Sequence, residues 1–276
     1  MIRKPVVAGQ FYPEKQEELQ NMIDFCFNHK FGPGTYSINP DEKIFGIICP
    51  HAGYMYSGPI ASYSYKSISS QIPEIAIIIG PNHFGIGTDA ATMVDADWET
   101  PLGTVSVDSE SALDVVKNSE IIKVDNYSHS QDHSLEVQIP FLQSIFDKKF
   151  QILPIILRAQ DMTTAKDIGN SVSEIAKKKK SIVIGSSDFT HYEENSFAYL
   201  QDHALIDPVL KMDVEKFYDV LQEKQVTACG FGAIASTMIA CKNLGATRGE
   251  LLRYATSGDI SGNNDSVVGY GAIKFV

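Results

Sequence analysis

The sequence predicts an α/β fold with a mixed, mostly parallel central sheet and helices on both faces. Short apolar runs of strand length recur along the chain, and helical patterns lie between them. Strands that are apolar on both faces are typical of buried parallel sheets, and their alternation with helices is typical of this fold class. The predicted strands are residues 43–49, 75–79, 151–157 and 181–184, followed near the end by 251–256 and 266–276.

Each predicted element has a local signal. Pro50, Gly80 and Gly185 directly follow three of the apolar strands, and Pro154 inside another suggests a sheet edge or a bulge. The helices follow from apolar residues that recur at helical spacing. They are residues 14–29, 59–69, 109–117, 134–146, 163–180, 193–206, 214–223 and 230–244.

Charge and composition narrow the class of function. The 276 residues carry 23 Lys and Arg against 34 Asp and Glu, a net charge of −11, which argues against nucleic acid as a partner. The N-terminus lacks the apolar core of a signal peptide, and no apolar run is long enough to span a membrane, so we expect a cytoplasmic protein. Four cysteines are too few for a disulfide scaffold. Because no stretch reads as a long linker, we expect a single domain over residues 1–276.

Histidines follow three of the predicted strands. His51 comes directly after Pro50, His83 follows Gly80-Pro81-Asn82, and Asp188 and His191 follow the strand at 181–184. In open α/β sheets, ligands bind beyond the carboxyl ends of the strands. If these strands are neighbours, the side chains form one pocket.

Two further segments carry candidate site residues. His133 and Glu136 would share a face of a helix, as a second acid/base or hydrogen-bonding wall, or the segment simply caps a helix. Cys229 opens an apolar helix, where a thiol pKa is lowered, which suits a metal ligand or a redox thiol. Cys49 is open to either a packing or a metal-binding interpretation.

Five motifs follow one another along the chain. They are Pro50-His51-Ala-Gly-Tyr54-x-Tyr56-Ser-Gly58, Gly80-Pro81-Asn82-His83, His133-Ser-Leu-Glu136, Ser187-Asp188-Phe-Thr-His191-Tyr192 and the Cys229-Gly segment. In this order they resemble the Memo family, called AmmeMemoRadiSam system protein B in many bacteria and archaea. The chain's start, Arg3-Lys-Pro-Val-Val-Ala-Gly-Gln-Phe-Tyr-Pro13, and the segment Tyr254-Ala-Thr-Ser-Gly258 are similar too, so the resemblance covers essentially the whole chain.

The resemblance implies a fold like that of class III extradiol dioxygenases of the LigB type, and a site that binds iron or copper. It implies His51, His83 and Cys229 as metal ligands, with Asp188 and His191 as further polar residues of the pocket. A thiolate would replace the third ligand of the dioxygenases, a carboxylate, which suits copper or a softer iron site. It also implies partners among the AmmeMemoRadiSam proteins, including a radical SAM enzyme.

The first functional hypothesis is a non-haem, metal-dependent redox enzyme acting on a small molecule. His51, His83, Cys229 and His191 would surround the metal. His191 would be the general acid/base, oriented by Asp188. Tyr54 would hydrogen-bond the substrate, with His133 and Glu136 as the second wall.

Two alternatives remain. The same pocket would serve a binding module without turnover, which sequesters a metal or holds an anionic ligand or a protein partner. A metal-free hydrolase would instead use Ser186 or Ser187 with His191 and Asp188, although residues so close in sequence rarely form a triad.

Overall fold

The computed structural model describes residues 1–146 and 149–276, and its helices and strands alternate as the sequence predicts. The strands are β1 Ile2–Arg3, β2 Gly46–Cys49, β3 Ile75–Pro81, β4 Ala90–Thr92, β5 Asp97–Thr100, β6 Gly103–Ser106, β7 Ile122–Val124, β8 Gln151–Leu157, β9 Ser181–Ser186, β10 His191–Glu193, β11 Gly249–Thr256 and β12 Val267–Phe275. The helices are α1 Gln16–Asn28, α2 Tyr54–Ile68, α3 Ser109–Asn118, α4 Ile139–Ile145, α5 Met162–Ala176, α6 Asn195–Leu210, α7 Val214–Lys224, α8 Phe231–Leu244 and α9 Ser257–Ser261.

The central sheet has the strand order β10-β12-β2-β9-β3-β8-β4-β7, and β11 also pairs with β12. The four strands at its centre, β2, β9, β3 and β8, are parallel, whereas β12 runs antiparallel to β2 and β4 antiparallel to β8. Helices flank this sheet: α2 packs on β2, β11 and β12, and α8 packs on β2, β3 and β9. The predicted mixed α/β fold is therefore confirmed.

The strand β8 lies inside the sheet, so the expectation that Pro154 marks an edge does not hold. Pro154 pairs with Ile78 of β3 on one side. On the other side, β4 pairs with residues 155–157 only, so its pairing does not reach Pro154. The missing proline N–H therefore falls where the neighbouring ladder has ended, which is how the sheet accommodates this residue.

Several boundaries differ from the predictions. The first apolar strand is shorter than predicted and begins at Gly46, and the helix predicted from residue 134 is a 3-10 turn over Glu136–Gln138 followed by α4. The predicted end of that helix, residue 146, lies just before the two residues that the structure does not describe. A small second sheet of β1, β5 and β6 was not predicted. Within the described residues, no helix is long and apolar enough to cross a membrane.

Residues 3–12, the N-terminal strap, are fastened to the segment that precedes α4. The guanidinium of Arg3, which is almost fully buried, donates to the carbonyls of His129 at 2.9 Å and Asp132 at 2.6 Å. It also forms a 2.5 Å ion pair with the buried carboxylate of Glu136. The strap thereby fixes the segment that carries His133.

Candidate metal centre

The carboxyl ends of β2, β9 and β3 lie side by side, because β9 pairs with both of the other strands. His51 lies two residues after β2, His83 two residues after β3, and Asp188 two residues after β9. The condition for convergence, that these strands are neighbours, is therefore met at the sheet edge where ligands of α/β proteins bind.

Three imidazoles meet at this edge, and we call them the histidine cluster: His51, His83 and His133. One ligand atom from each lies within 4.8 Å of the others, close enough for a single metal ion. The rings of His83 and His133 stack with centroids 4.6 Å apart, and that of His51 meets both edge-on at 5.1 and 5.4 Å. His133 was expected to be an acid/base or hydrogen-bonding residue, so its place beside the two predicted ligands is a finding of the structure.

The ring of His51 is buried and held at both nitrogens. Nδ1 lies 2.9 Å from Oγ of Ser186, the last residue of β9, and Nε2 lies 3.0 Å from Sγ of Cys229. Desolvation, reinforced by the neighbouring imidazoles, lowers the pKa of His51 well below its ordinary value. This ring is therefore neutral at pH 7 in the absence of a metal, which is the form that binds metals.

His83 is anchored by a buried carboxylate. Its backbone N–H donates to Asp132 Oδ2 at 2.6 Å, and its Nδ1 lies 3.1 Å from the same oxygen. Burial alone would raise the pKa of Asp132, but the hydrogen bond and charge interaction with His83 outweigh it and hold that pKa below its ordinary range. Asp132 is therefore ionised and accepts from Nδ1, which leaves Nε2 of His83 free for a ligand.

His133 packs against the N-terminal strap, with its ring centroid 4.5 Å from that of Phe11. Burial lowers the pKa of His133 to about 4, and the charge of His83 contributes to the shift. The imidazole of His133, like that of His51, is thus neutral near pH 7.

Cys229 lies beside the cluster, although it is not one of the three groups that meet within 4.8 Å. Its Sγ accepts the backbone N–H of Asp188 at 3.3 Å. Burial and the nearby Asp188 carboxylate raise the pKa of Cys229 instead of lowering it. The expectation of a lowered thiol pKa therefore does not hold for the metal-free protein, because desolvation outweighs the position before α8.

Asp188 and His191 do not form the expected pair. Asp188 accepts the backbone N–H of His51 at 2.8 Å, and burial raises its pKa to about 6, against the opposing effect of His191. His191 begins β10, which lies beyond β12 at the end of the sheet. Its backbone N–H donates to Oγ1 of Thr227, and its Nδ1 lies 2.9 Å from the carbonyl oxygen of Thr227. The orienting partner of His191 is therefore Thr227, and His191 lies outside the histidine cluster.

The structure places Tyr54 and Glu136 in the interior. The Tyr54 hydroxyl donates to the carbonyl of Val137 at 2.6 Å, and the ring is buried. Glu136 accepts from Arg3 and from the Tyr12 hydroxyl. Both side chains hold the fold together and lie outside the histidine cluster. For Glu136 the reason is that residues 133–136 do not form the regular helix that was predicted.

The two serines of the hydrolase alternative use their hydroxyl protons in hydrogen bonds to backbone carbonyls. The hydroxyl of Ser186 donates to the carbonyl of Ser134 at 2.7 Å, and that of Ser187 donates to the carbonyl of Asp188 at 2.7 Å. Both serines are fully buried. Neither hydroxyl is accessible to a substrate, so the geometry does not favour a serine nucleophile.

The sequence suggests for Asp132 only a helix cap, and it predicts neither Thr227 as a partner of His191 nor the Ser186 hydroxyl as a partner of His51. Asp132 directly precedes His133, and a carboxylate next to a histidine is a visible signal. Its partner is nevertheless His83, 49 residues away in the chain, a pairing that only the fold reveals.

Comparison with known proteins gives a consistent result. A family model described as "Memo-like protein" matches residues 3–274. The chain is 67% identical over 276 residues to a MEMO1 family protein of Nitrosopumilus maritimus, covering all of both chains. It is 42% identical over 280 residues to one of Methanopyrus kandleri, covering 100% of this chain and 99% of that one.

Among solved structures, the chain is similar to an uncharacterized protein of Escherichia coli K12. The TM-score is 0.55 at 8% sequence identity, and the match covers 83% of this chain and 99% of that chain. At this identity the likeness shows a shared fold and nothing about chemistry.

Proposed function

This chain belongs to the Memo family, and we propose that its histidine cluster binds iron or copper and carries out redox chemistry on a small substrate. His51, His83 and His133 would be the protein ligands, and Cys229 would be an adjacent sulfur donor. The supporting observation is that one nitrogen of each imidazole lies within 4.8 Å of the others at the edge of the sheet where ligands bind.

The donor set fits these metals. Imidazole suits iron, copper, nickel and zinc, whereas magnesium, calcium and manganese prefer oxygen ligands. The nearby carboxylates already have partners: Asp132 accepts from His83, and Asp188 accepts the backbone N–H of His51. The thiol of Cys229, 3.0 Å from His51 Nε2, adds a soft donor of the kind that binds copper(I), iron and zinc.

The contacts behind the cluster also fit a metal site. Histidine ligands almost always donate their second ring N–H to a carboxylate, a carbonyl or another acceptor, which fixes the ring and makes it more basic. His83 has Asp132 in this position and His51 has Ser186. Two of the three rings are therefore prepared for coordination through Nε2.

A bound iron or copper ion would supply the electron-transfer capacity that amino-acid side chains lack. The chain's own contribution would be proton transfer and orientation. Asp188, with a pKa raised by burial to about 6, changes protonation state near neutral pH beside His51. We therefore assign proton exchange with the substrate to an oxygen of the Asp188 carboxyl. His191, held by Thr227, would bind the substrate from outside the histidine cluster.

A second candidate is a metal-binding module without turnover. The specific observation in its favour is that Tyr54 and Glu136, expected to face a substrate, are committed to interior contacts. Fewer groups are then available to act on a bound molecule.

Metal analysis tests the proposed site. We expect protein purified anaerobically and loaded with iron(II) or copper to retain the metal after gel filtration, and His51→Ala, His83→Ala and His133→Ala each to lose most of it. His203→Ala, which removes an exposed imidazole on α6, is the matched control and should behave like wild type. Retention of wild-type metal content by all three cluster variants would overturn the assignment.

Oxygen consumption with ascorbate as the reductant separates the two candidates. A redox enzyme should consume oxygen faster when loaded than the His51→Ala variant treated in the same way. Asp188→Asn should retain the metal and lose the dependence of this rate on pH around 6. A loaded wild-type protein that consumes no more oxygen than the variant favours the binding module.

A further inference from the structure

We propose that a buried hydrogen-bond chain, Tyr65–Gln138–Ser186, fixes His51 as the tautomer with its proton on Nδ1. Gln138 and Ser186 are then positioning residues, which act on the site through the His51 ring. The purpose of this chain rests on the proposed function, since a bare Nε2 is what a metal would need. The tautomer itself is measurable in the metal-free protein.

Every member of the chain is inaccessible to solvent. Tyr65 of α2 and Ser186 of β9 are fully buried, and Gln138 and His51 are exposed by only 1% and 2%. Groups so placed depend on protein partners for their hydrogen bonds. The directions of these bonds are therefore set within the chain itself.

The first link is the orientation of the Gln138 amide. Its Nε2 lies 3.0 Å from the carbonyl oxygen of Pro50, an atom that only accepts hydrogen bonds. The amide NH₂ must face this carbonyl, because the reverse orientation would place two acceptors together. Oε1 then points to the hydroxyl of Tyr65, which donates to it.

The second link is the hydroxyl of Ser186, which has one proton to donate and two lone pairs to accept with. The second N–H of Gln138 donates to Oγ at 2.8 Å, which fills one lone pair. The hydroxyl proton goes to the carbonyl of Ser134 at 2.7 Å, an atom that only accepts. Only one accepting position remains on Oγ.

That remaining position faces Nδ1 of His51 at 2.9 Å. Because Oγ has no second proton to give, Nδ1 must be the donor and carry the ring's proton. Rotating the Ser186 hydroxyl toward Nδ1 would reverse the tautomer, but it would deprive the buried Ser134 carbonyl of this donor. Nε2 of His51 is therefore bare, and it lies 3.0 Å from Sγ of Cys229.

The rings of His83 and His51 thus differ in the charge of the acceptor that holds Nδ1. Asp132 holds His83 with a charged acceptor, whereas Ser186 holds His51 with a neutral hydroxyl. A charged acceptor makes the imidazole a stronger electron donor than a neutral one does. The chain behind His51 accordingly selects a tautomer without adding charge to the site.

Nitrogen NMR on the metal-free protein labelled with ¹⁵N-histidine tests the tautomer directly. At pH 7.5, long-range proton–nitrogen correlations should show a protonated Nδ1 and a bare Nε2 for His51, identified by its absence in His51→Ala. In Ser186→Ala the Nδ1–H form should no longer predominate. Ser62→Ala, which removes another buried serine hydroxyl that bonds only backbone carbonyls on α1 and α2, is the matched control.

Iron(II) titration adds a second measurement. Loss of a partner of this kind lowers metal affinity by about 10–100-fold, so Ser186→Ala should bind iron(II) that much more weakly than Ser62→Ala. Ser186→Cys, which keeps a side chain of similar size but offers only a weak acceptor, should shift the tautomer in the same direction and serves if Ser186→Ala does not fold.

An Nε2–H tautomer in the wild-type protein, or an unchanged Nδ1–H tautomer in both Ser186→Ala and Ser186→Cys, would overturn the proposal. If the tautomer is as predicted but the wild-type protein binds no iron or copper, the hydrogen-bond chain stands and the proposed metal function fails. The two conclusions can therefore be told apart.

Discussion

His129 shows at the scale of one residue what burial does to an imidazole. The ring is fully buried, edge-on to Trp98 with centroids 5.9 Å apart. Desolvation, with a contribution from the charge of Arg3, lowers the pKa of His129 to about 3. The folded protein therefore keeps this ring neutral at pH values where an unfolded chain would protonate it.

This difference predicts a dependence of stability on pH. The stabilisation from a neutral His129 is complete above its ordinary pKa of 6.5 and is lost as the pH falls toward about 3, because only the unfolded chain takes up the proton. Between pH 6.5 and 4.5 the loss amounts to about 2–3 kcal/mol. In urea unfolding, the free energy of unfolding of His129→Phe should therefore fall by about 2–3 kcal/mol less than that of the wild-type protein over this pH range.

His203→Phe is the matched control, because His203 is exposed. Its pH slope should equal that of the wild-type protein. A His129→Phe variant that keeps the full wild-type slope would contradict the assignment.

Residue types and strand ends predicted much of the candidate site. His51 and His83 were found because each directly follows an apolar strand that ends in the middle of the sheet. The partnership of Asp132 with His83, and of Ser186 with His51, depends on the register between distant segments. Local spacing carries no information about such pairs. The prediction that Glu136 forms a wall of the site was wrong, because it depended on a regular helix that residues 133–136 do not form.

At the scale of elements, the N-terminal strap is attached through charge buried in the interior. Arg3 and Glu136 are 4% and 1% exposed, and Glu136 also accepts from the backbone N–H groups of Val6 and Val7. Removing one partner of such a pair leaves an uncompensated buried charge. The strap therefore depends on Arg3 far more than on its exposed neighbour Lys4.

Arg3→Met should lower the free energy of unfolding by about 3–5 kcal/mol, since the Glu136 carboxylate would remain buried without its cation. Lys4→Met is the matched control. It removes an exposed ion pair with Glu99, and such a pair contributes at most about 1 kcal/mol. Urea unfolding monitored by tryptophan fluorescence measures both, and equal effects of the two substitutions would refute this role for Arg3.

Elements were predictable where one segment contained its own signal. The central strands β2, β3, β8 and β9 are apolar throughout and were found, whereas β1, β5 and β6 are two to four residues long and exist only through pairing with one another. The short helix α9 also has a local signal, because Thr256 and Asp259 form a capping box at its start and their spacing is visible in the sequence.

At the scale of the whole molecule, a metal that binds only the folded state should raise its stability. At a free iron(II) or copper concentration of about 100 times the dissociation constant, the gain is about 2.7 kcal/mol, which corresponds to a rise of roughly 5–10 °C in Tm for a protein of this size. Calorimetry of anaerobic wild-type protein checks this shift, and His51→Ala should show none.

The same scans test the expectation of one domain over residues 1–276. One cooperative transition that moves as a unit on metal addition is the expected result. Two transitions, of which only one moves, would show that the sheet and the remaining elements unfold separately.

The position of β12 has a consequence for how the protein is made. This strand pairs with β2, β10 and β11, so residues 267–275 join a strand near residue 46 to strands that begin at residues 191 and 249. On a ribosome, β2 would keep an unpaired edge on that side until residues 267–275 had emerged. The nascent chain therefore exposes an apolar strand edge while residues 50–266 are synthesised, which is when protection by a chaperone matters most.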